Sequence, residues 1–208
     1  MKIGIVGAGN VGKSLGGGFA ARGHDVVLGS RNPGEKDELP AGTRAASFAD
    51  AARHGEVVVL SVPWRAIDAV LDAIPLDAVA GKVLADTSNP LTSRDGRPAG
   101  LAMPPEGSAA QHVAARFPAA RVVKAWNTVG APFMVDPQFP NGPPDMLICG
   151  DDAAAKATIA RLCDDLRYPA FDAGDLTMAG ELEHLAWIWI SIMLSGRTKG
   201  HAFKLLRR

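Results

Sequence analysis

The first 31 residues most constrain what this chain can fold into, because they join an apolar run, a glycine-rich turn, a helical stretch and a second apolar run (MKIGIVGAGNVGKSLGGGFAARGHDVVLGSR). Gly7, Gly9 and Gly12 stand in GxGxxG spacing directly after the predicted strand of residues 3–6. In this arrangement the first glycine allows a tight turn and the second lets the backbone approach a pyrophosphate. The third lets the helix of residues 10–22 pack closely on the strand. The N–H groups of the first helical turn favour an anion. The segment therefore predicts a dinucleotide-binding unit.

The end of the second predicted strand, residues 26–28, indicates which nicotinamide cofactor binds. An acidic residue about 20 positions beyond the glycines would accept hydrogen bonds from the ribose hydroxyls of NAD. This chain has Ser30 and Arg31 there instead. A hydroxyl and a guanidinium, together with Lys36, can donate charge-assisted hydrogen bonds to a 2′-phosphate, which a carboxylate would repel. We therefore expect NADP as the cofactor.

The order of predicted elements along the chain indicates the fold class. Further predicted strands cover residues 43–46, 57–62, 82–85, 121–125, 146–149 and 170–172, and predicted helices lie between most of them. This alternation predicts a Rossmann-type α/β fold with a doubly wound parallel sheet. Residues 92–107 are rich in glycine and proline and are expected to form an exposed loop. We expect residues 1–175 to form the NADP-binding domain and residues 176–208 to form a small helical segment that completes the substrate cleft.

The ends of the predicted strands nominate the rest of the site, because ligands of such sheets lie outside the carboxyl ends of the strands. The residues at these ends are Ser61, Val62 and Pro63, then Asn89, then Asn127 and Thr128. The first three are expected to line the ribose and nicotinamide of the cofactor. The two asparagines are expected to hydrogen-bond the carboxamide or the substrate, although Asn also bonds its own backbone in turns. With Thr128, Asn127 forms the expected substrate contact.

Composition and charge exclude several classes of partner. The chain has 22 basic and 22 acidic residues, so its formal net charge is zero, which gives no support to nucleic acid or an anionic membrane as a partner. The longest apolar run, residues 185–194 (LAWIWISIML), is about half the length that crosses a bilayer. We expect it to form a buried helix that a second subunit helps to cover, as in a homodimer. The absence of a signal peptide leads us to expect a cytoplasmic protein.

The sequence offers neither a metal site nor an obvious proton donor. Cys149 and Cys163 are too few and too far apart for a disulfide framework or a zinc site, and we expect both to be buried thiols. No Tyr-x-x-x-Lys pair occurs, Tyr168 lies in a predicted loop, and His184 is the histidine best placed to reach the cleft. The sequence alone therefore leaves the catalytic residues unassigned. Such a site suits hydride transfer to a flat acceptor that is itself an electron sink.

Eight segments in order resemble the NADPH-dependent reductases of coenzyme F420, an 8-hydroxy-5-deazaflavin. They are GAGNVGKSL (7–15), GSR with a following lysine (29–36), LSVPWRAID (60–68), SAA (108–110), VVKAWNT (122–128), CGDD (149–152), DAGDL (172–176) and GHAFKLL (200–206). The resemblance implies reversible hydride transfer between carbon 4 of nicotinamide and the central carbon of the deazaflavin. It also implies pyrophosphate contacts from Ala8, Gly9, Asn10 and Val11, 2′-phosphate contacts from Ser30, Arg31 and Lys36, and a nicotinamide border near Val62, Pro63 and Asn89.

The chain departs from that family where the deazaflavin is expected to lie. Asn127 stands where some members have histidine, and the final predicted helix has Gly180 and the pair at residues 186–187 where we expect an arginine and a Thr-Pro pair. The acceptor therefore stays open among F420, a flavin and a quinone-like ring. A non-catalytic NADP(H)-binding redox sensor is the alternative from another class. An imine reductase is disfavoured, because little chain remains after residue 175 for a helical dimer domain.

Overall fold

The computed structural model describes residues 1–33, 38–198, 200–206 and 208. The strands of this part are β1 (Lys2–Val6), β2 (Asp25–Gly29), β3 (Thr43–Ala46), β4 (Val57–Leu60), β5 (Val83–Asp86), β6 (Leu91–Arg94), β7 (Arg97–Leu101), β8 (Arg121–Lys124), β9 (Met146–Gly150) and β10 (Ala170–Asp172). The α-helices are α1 (Asn10–Ala20), α2 (Phe48–His54), α3 (Ile67–Asp72), α4 (Leu76–Val79), α5 (Ala109–Arg116), α6 (Ala153–Asp165) and α7 (Ala179–Leu194). Most of the predicted elements therefore form, with ends that differ by one or two residues.

Eight strands form one sheet in the order β3-β2-β1-β4-β5-β8-β9-β10. The strands from β3 to β8 in this order run parallel. The chain moves outward from β1 to β3 and then returns to β4, so the switch point of the sheet lies between β1 and β4. This is the predicted Rossmann-type fold.

The far edge of the sheet departs from a purely parallel arrangement, because β9 runs antiparallel to β8 while β10 runs parallel to β9. A parallel connection needs a crossover of a dozen or more residues that is usually an α-helix. Between β8 and β9 the structure has only a short 3-10 turn at Ala131–Phe133. The chain therefore enters β9 from the opposite direction.

The central strands are apolar along their whole length because helices cover both faces of the sheet. All four residues of β4 are buried, and they point alternately into two hydrophobic clusters. Val57 and Val59 pack with residues of α1 and α6, whereas Val58 and Leu60 pack with residues of α2, α3 and α5. This is the burial expected of a parallel strand with helices on both sides.

The predicted exposed loop of residues 92–107 is wrong in its first half, where β6 and β7 form an antiparallel hairpin. Asp95 and Gly96 join the two strands with positive φ values of 52° and 75°. Two consecutive residues in this conformation are typical of the type I′ turn that closes tight hairpins. The Asp-Gly pair was the signal for this turn, and the surrounding glycines and prolines obscured it.

Helix α7 is buried along one face only. Leu182, Ala186 and Trp189 are buried, whereas Ile188 and Met193 are 51% and 42% exposed. The expectation of a helix buried on all sides therefore does not hold for a single chain, and cover by a second subunit stays a prediction. No helix among the described residues has both the length and the apolarity to span a membrane.

Candidate functional site

The glycine-rich turn has the geometry that its spacing predicts. Gly7 adopts a φ of +121°, and a Cβ atom at this position would lie 2.0 Å from the carbonyl oxygen of Ser61. A Cβ atom at Gly12 would lie 1.9 Å from the carbonyl oxygen of Gly7. These two glycines are therefore required by the fold itself, because backbone atoms occupy the space of a side chain.

Gly9 differs from Gly7 and Gly12 because, apart from its two chain neighbours, no described residue lies within 4 Å of a Cβ atom built there. It is the N-cap of α1, with φ −77° and ψ −173°, a conformation that most residues adopt. Neither packing nor backbone strain requires a glycine here. The open space above it fits the close approach of a phosphate to the first N–H groups of α1.

A cavity of about 810 Å³ extends from this turn to the end of β2. Its lining is Gly7, Ala8, Gly9, Ser30, Arg31, Asn32, Phe48, Ser61, Val62, Pro63, Ala66 and Val70. Among the described residues, Arg31 is the single charged residue of this lining, and its exposed side chain has no hydrogen bond or ion pair with another of them. Lys36, predicted to act beside Arg31, lies outside the described residues. The arrangement can accept an anion at the end of β2.

A second cavity of about 440 Å³ adjoins the first, since both are lined by Gly9, Ser61, Val62 and Pro63. The rest of its lining is Asn10, Val11, Trp64, Arg65, Thr87, Ser88, Asn89, Leu91, Thr92, Ser93, Gly96 and Pro98. The hairpin that sequence reasoning missed thus forms one wall. Within the described part of the chain, this lining has no histidine, tyrosine, cysteine, lysine or acidic residue, and Arg65 is its single charge.

The predicted asparagines lie side by side. Nδ2 of Asn127 donates to Oδ1 of Asn89 at 3.0 Å, and Nδ2 of Asn89 donates to the carbonyl of Asn127 at 3.1 Å. Asn127 also donates to the carbonyl of Leu182 in α7 at 3.0 Å, which leaves its buried Oδ1 without a partner among the described residues. Asn89 lines the second cavity, whereas Asn127 and Thr128 are buried behind it and line neither cavity.

Three buried charges behind the asparagines were missed by sequence reasoning. Nζ of Lys124 lies 2.7 Å from Oδ2 of Asp86 and 2.6 Å from Oε1 of Glu183, and all three side chains are fully buried. Burial lowers the pKa of Lys124, but the negative charges of Asp86 and Glu183 outweigh it and raise the pKa overall. Burial raises the pKa of Glu183. The signal in the sequence was a charged residue at the end of each of two apolar strands.

The other titratable side chains singled out in the sequence lie away from the cavities. Both cysteines are buried, as predicted, and burial raises the pKa of Cys149 to about 12. Tyr168 is buried and its hydroxyl donates to the carbonyl of Phe133. His184 is exposed and its Nδ1 contacts the carbonyl of Gly180 at 2.8 Å.

His112 contacts a residue that lines the second cavity. Its ring packs edge-on against Trp64, a lining residue, with 5.4 Å between ring centroids. Its Nε2 lies 2.8 Å from Asp68 and its Nδ1 3.2 Å from Glu106. Partial burial lowers the pKa of His112, but the two carboxylates outweigh it and raise the pKa overall.

A Rossmann-type sheet with a glycine-rich turn, an exposed arginine after β2 and an adjoining second cavity defines the class of dinucleotide-binding oxidoreductases. The sequence profile of the family described as "NADP oxidoreductase coenzyme F420-dependent" matches residues 2–90. The chain is 32% identical to the F420-dependent NADP reductase of Methanothermobacter marburgensis, over 99% of this chain and 98% of that protein. The chain belongs to this family, which is a family of oxidoreductases.

Two further relatives show how far the likeness extends. A solved structure from Arthrobacter sp. FB24, described as a candidate F420-dependent NADP reductase, has 34% identity and a TM-score of 0.91 and covers all of both chains. Metalloreductase STEAP3 of Rattus norvegicus is 32% identical over 88% of this chain, but the chain spans only 36% of that protein's length. The same kind of domain therefore also occurs as part of a larger protein.

Proposed function

We propose that this chain transfers a hydride between NADP(H), bound along the glycine-rich turn, and a flat acceptor in the second cavity, with coenzyme F420 as the first candidate. The observation that carries the proposal is the pair of adjoining cavities, the second of which has no acid or base among its described lining residues. When bound, NADPH supplies the hydride. An acceptor that is itself an electron sink needs alignment with the nicotinamide more than it needs a proton donor.

The proposed cofactor contacts divide along the cleft. The pyrophosphate would lie on Ala8, Gly9, Asn10 and Val11, the 2′-phosphate on Ser30 and Arg31, and the nicotinamide beside Ser61, Val62, Pro63 and Asn89. The open space above Gly9 and the exposed guanidinium of Arg31, which has no partner among the described residues, support this assignment, because an anchored N–H group and a guanidinium both bind phosphate oxygens. The proposed role of Lys36 concerns a residue outside the described part of the chain.

The charge of the second cavity favours one class of acceptor. Arg65 is the single charge in the described lining, so an acceptor with a phosphate or carboxylate substituent would gain a charge-assisted contact there. FMN and riboflavin share one ring and differ by a phosphate, which makes them a matched pair of probes. FMN should be reduced at a lower KM than riboflavin, and Arg65→Ala should remove the difference.

We also propose that residues 176–208 form a separate C-terminal segment and that its α7 face pairs with a second copy of the chain. The exposed Ile188, Met193 and Leu194 on α7 support this pairing, because a second copy would remove them from water. Light scattering of the purified chain measures its mass directly. A monomer at all concentrations would rule the pairing out.

The sensor alternative has less support. In a non-catalytic sensor, we would expect residues 180–200 to plug the cleft and keep an acceptor from the nicotinamide. No described residue of that stretch lines either cavity. The family to which the chain belongs is also one of enzymes.

The decisive experiment is an anaerobic screen of the purified chain with NADPH against F420, FMN, FAD, riboflavin and small quinones. The loss of NADPH absorbance measures the reaction. With F420, which accepts the hydride on a carbon, direct transfer predicts that deuterium at carbon 4 of NADPH appears in the reduced acceptor. Failure to reduce any of these acceptors, in protein that binds NADPH, would overturn the proposed reaction.

A further inference from the structure

The carboxyl edge of the sheet carries a buried network of charges centred on one ammonium group. Lys124 ends β8, Asp86 ends β5, and Glu183 lies in the second turn of α7. Nζ of Lys124 donates to Asp86 at 2.7 Å, to Glu183 at 2.6 Å and to the carbonyl of Ser88 at 2.5 Å. All three protons of the ammonium are therefore used, two on the segment that ends β5 and one on α7.

One branch of this network leads to the wall of the second cavity. Oδ1 of Asp86 accepts hydrogen bonds from the backbone N–H and the hydroxyl of Ser88, at 3.0 and 2.7 Å. With the bond from Lys124, Ser88 is held through three of its polar groups. Ser88 and its neighbour Asn89 both line the second cavity. The position of Asn89 is thus fixed from behind by buried charges.

The other branch reaches the same place through α7. The Glu183 carboxylate accepts the N–H of Ala109 at 3.0 and 3.1 Å, which ties α7 to the start of α5. The residue before it, Leu182, accepts the hydrogen bond from Asn127. Asn127 and Asn89 in turn bond each other. The two branches therefore meet at the asparagine pair.

Stability alone gives a poor account of this network. Buried ion pairs are often no more stabilising than apolar side chains of the same volume, because the charges lose their hydration. What three directional bonds from one ammonium do supply is a fixed orientation of the groups that they join. Oδ1 of Asn127 is a buried side-chain acceptor that no donor among the described residues satisfies.

We propose that Lys124 and Glu183 are positioning residues for hydride transfer: they touch neither reactant and hold the Asn89–Asn127 pair in the orientation that aligns the nicotinamide with the acceptor. This inference rests on the proposed function for its kinetic consequences. Its structural consequence, a fixed nicotinamide ring, is independent of which acceptor is reduced.

The test uses Glu183→Gln, which keeps the volume and an oxygen acceptor but removes the charge that binds Lys124. Lys124→Met is a harsher second variant, and Lys82→Met is the matched control. Lys82 also donates to two backbone carbonyls, of Ala52 and Arg53 at 2.9 and 3.0 Å, but it lies at the opposite, amino end of β5. Any general effect of losing a bound lysine should appear in both lysine variants as a lower melting temperature.

The first measurement needs no acceptor. We expect Glu183→Gln to bind NADPH with unchanged affinity, because the phosphates bind at the other end of the cleft, while the fluorescence anisotropy of the bound nicotinamide falls. The Lys82→Met control should keep the anisotropy of the unaltered protein. Unchanged anisotropy in Glu183→Gln overturns the inference, even if the acceptor screen has failed.

The second measurement uses whichever acceptor the screen identifies. We expect the kcat of Glu183→Gln, measured at saturating NADPH, to fall about ten- to a hundredfold, while its KM for NADPH stays unchanged. We also expect deuterium placed on either face of carbon 4 of NADPH to be transferred, because a loosely held nicotinamide ring can flip and present either face to the acceptor. A lower melting temperature with normal kcat and transfer from one face only would show that the network is merely structural.

Discussion

The difference between Gly9 and Gly12 allows binding and folding to be separated with two alanine substitutions. In Gly12→Ala the new Cβ atom would lie 1.9 Å from the backbone oxygen of Gly7, against the roughly 3.4 Å or more of an ordinary contact. The new Cβ atom is fixed to the backbone of α1, and the oxygen belongs to the backbone of the turn after β1. The turn and α1 must therefore move apart by roughly 1 Å or more. We expect a loss of about 3 kcal/mol or more in the free energy of unfolding.

In Gly9→Ala the new Cβ atom meets no described residue within 4 Å beyond its chain neighbours, and φ −77° suits alanine. The remaining cost is the weaker N-cap, about 0.5–1 kcal/mol. The methyl group would instead occupy the space that we assign to the pyrophosphate. We therefore expect the affinity for NADP⁺ to fall by about a hundredfold or more, since the phosphate can no longer reach the first N–H groups of α1.

The two assays are thermal unfolding and calorimetric titration with NADP⁺. For a chain of this size, the melting temperature should fall by roughly 6–12 °C in Gly12→Ala and by about 3 °C or less in Gly9→Ala. The reasoning fails if Gly9→Ala binds NADP⁺ normally. It also fails if Gly9→Ala is destabilised as much as Gly12→Ala, because then packing rather than a ligand requires the glycine.

Three further predictions concern single groups. Arg31→Ala should raise the Kd for NADP⁺ about tenfold and leave the Kd for NAD⁺ within about twofold; tenfold is the low end for a charge-assisted bond, because the side chain is exposed. Arg65→Ala, the control, should change neither Kd. Equal losses of affinity for both nucleotides in calorimetry would refute the 2′-phosphate contact. Cys149, with its pKa raised to about 12 by burial, should resist a thiol reagent in the native protein and react once unfolded, so fast native labelling would contradict its burial. Because the pKa of His112 is raised in the folded protein, its stabilising contribution should be complete below its unfolded pKa and disappear as the pH rises through the folded pKa. Chemical denaturation should therefore show a larger loss of stability in His112→Gln at about pH 5 than at about pH 8, and a reversed trend would contradict the ion pairs.

The candidate site was partly predictable because some of its rules are local. The GxGxxG spacing after an apolar strand specifies the turn, and the absence of an acid after β2 could be noticed by position alone. The cysteines were predictable as buried thiols from their apolar surroundings. The hairpin of β6 and β7 was also within reach, since Asp95 and Gly96 are a local turn signal that the neighbouring glycines and prolines obscured.

The sequence by itself determined the alternation of strands and helices and the anion-accepting turn, because each depends on the conformations of residues that are near one another along the chain. Only the tertiary structure decided that Lys124 would meet Asp86, 38 residues away, and Glu183, 59 residues away. The residues that flank a buried lysine in the sequence do not indicate which side chains will contact it. They are chosen by the order of strands in the sheet and by the helix that lies over its carboxyl edge, and a fully buried charge is tolerated only where that packing brings opposite charges to it.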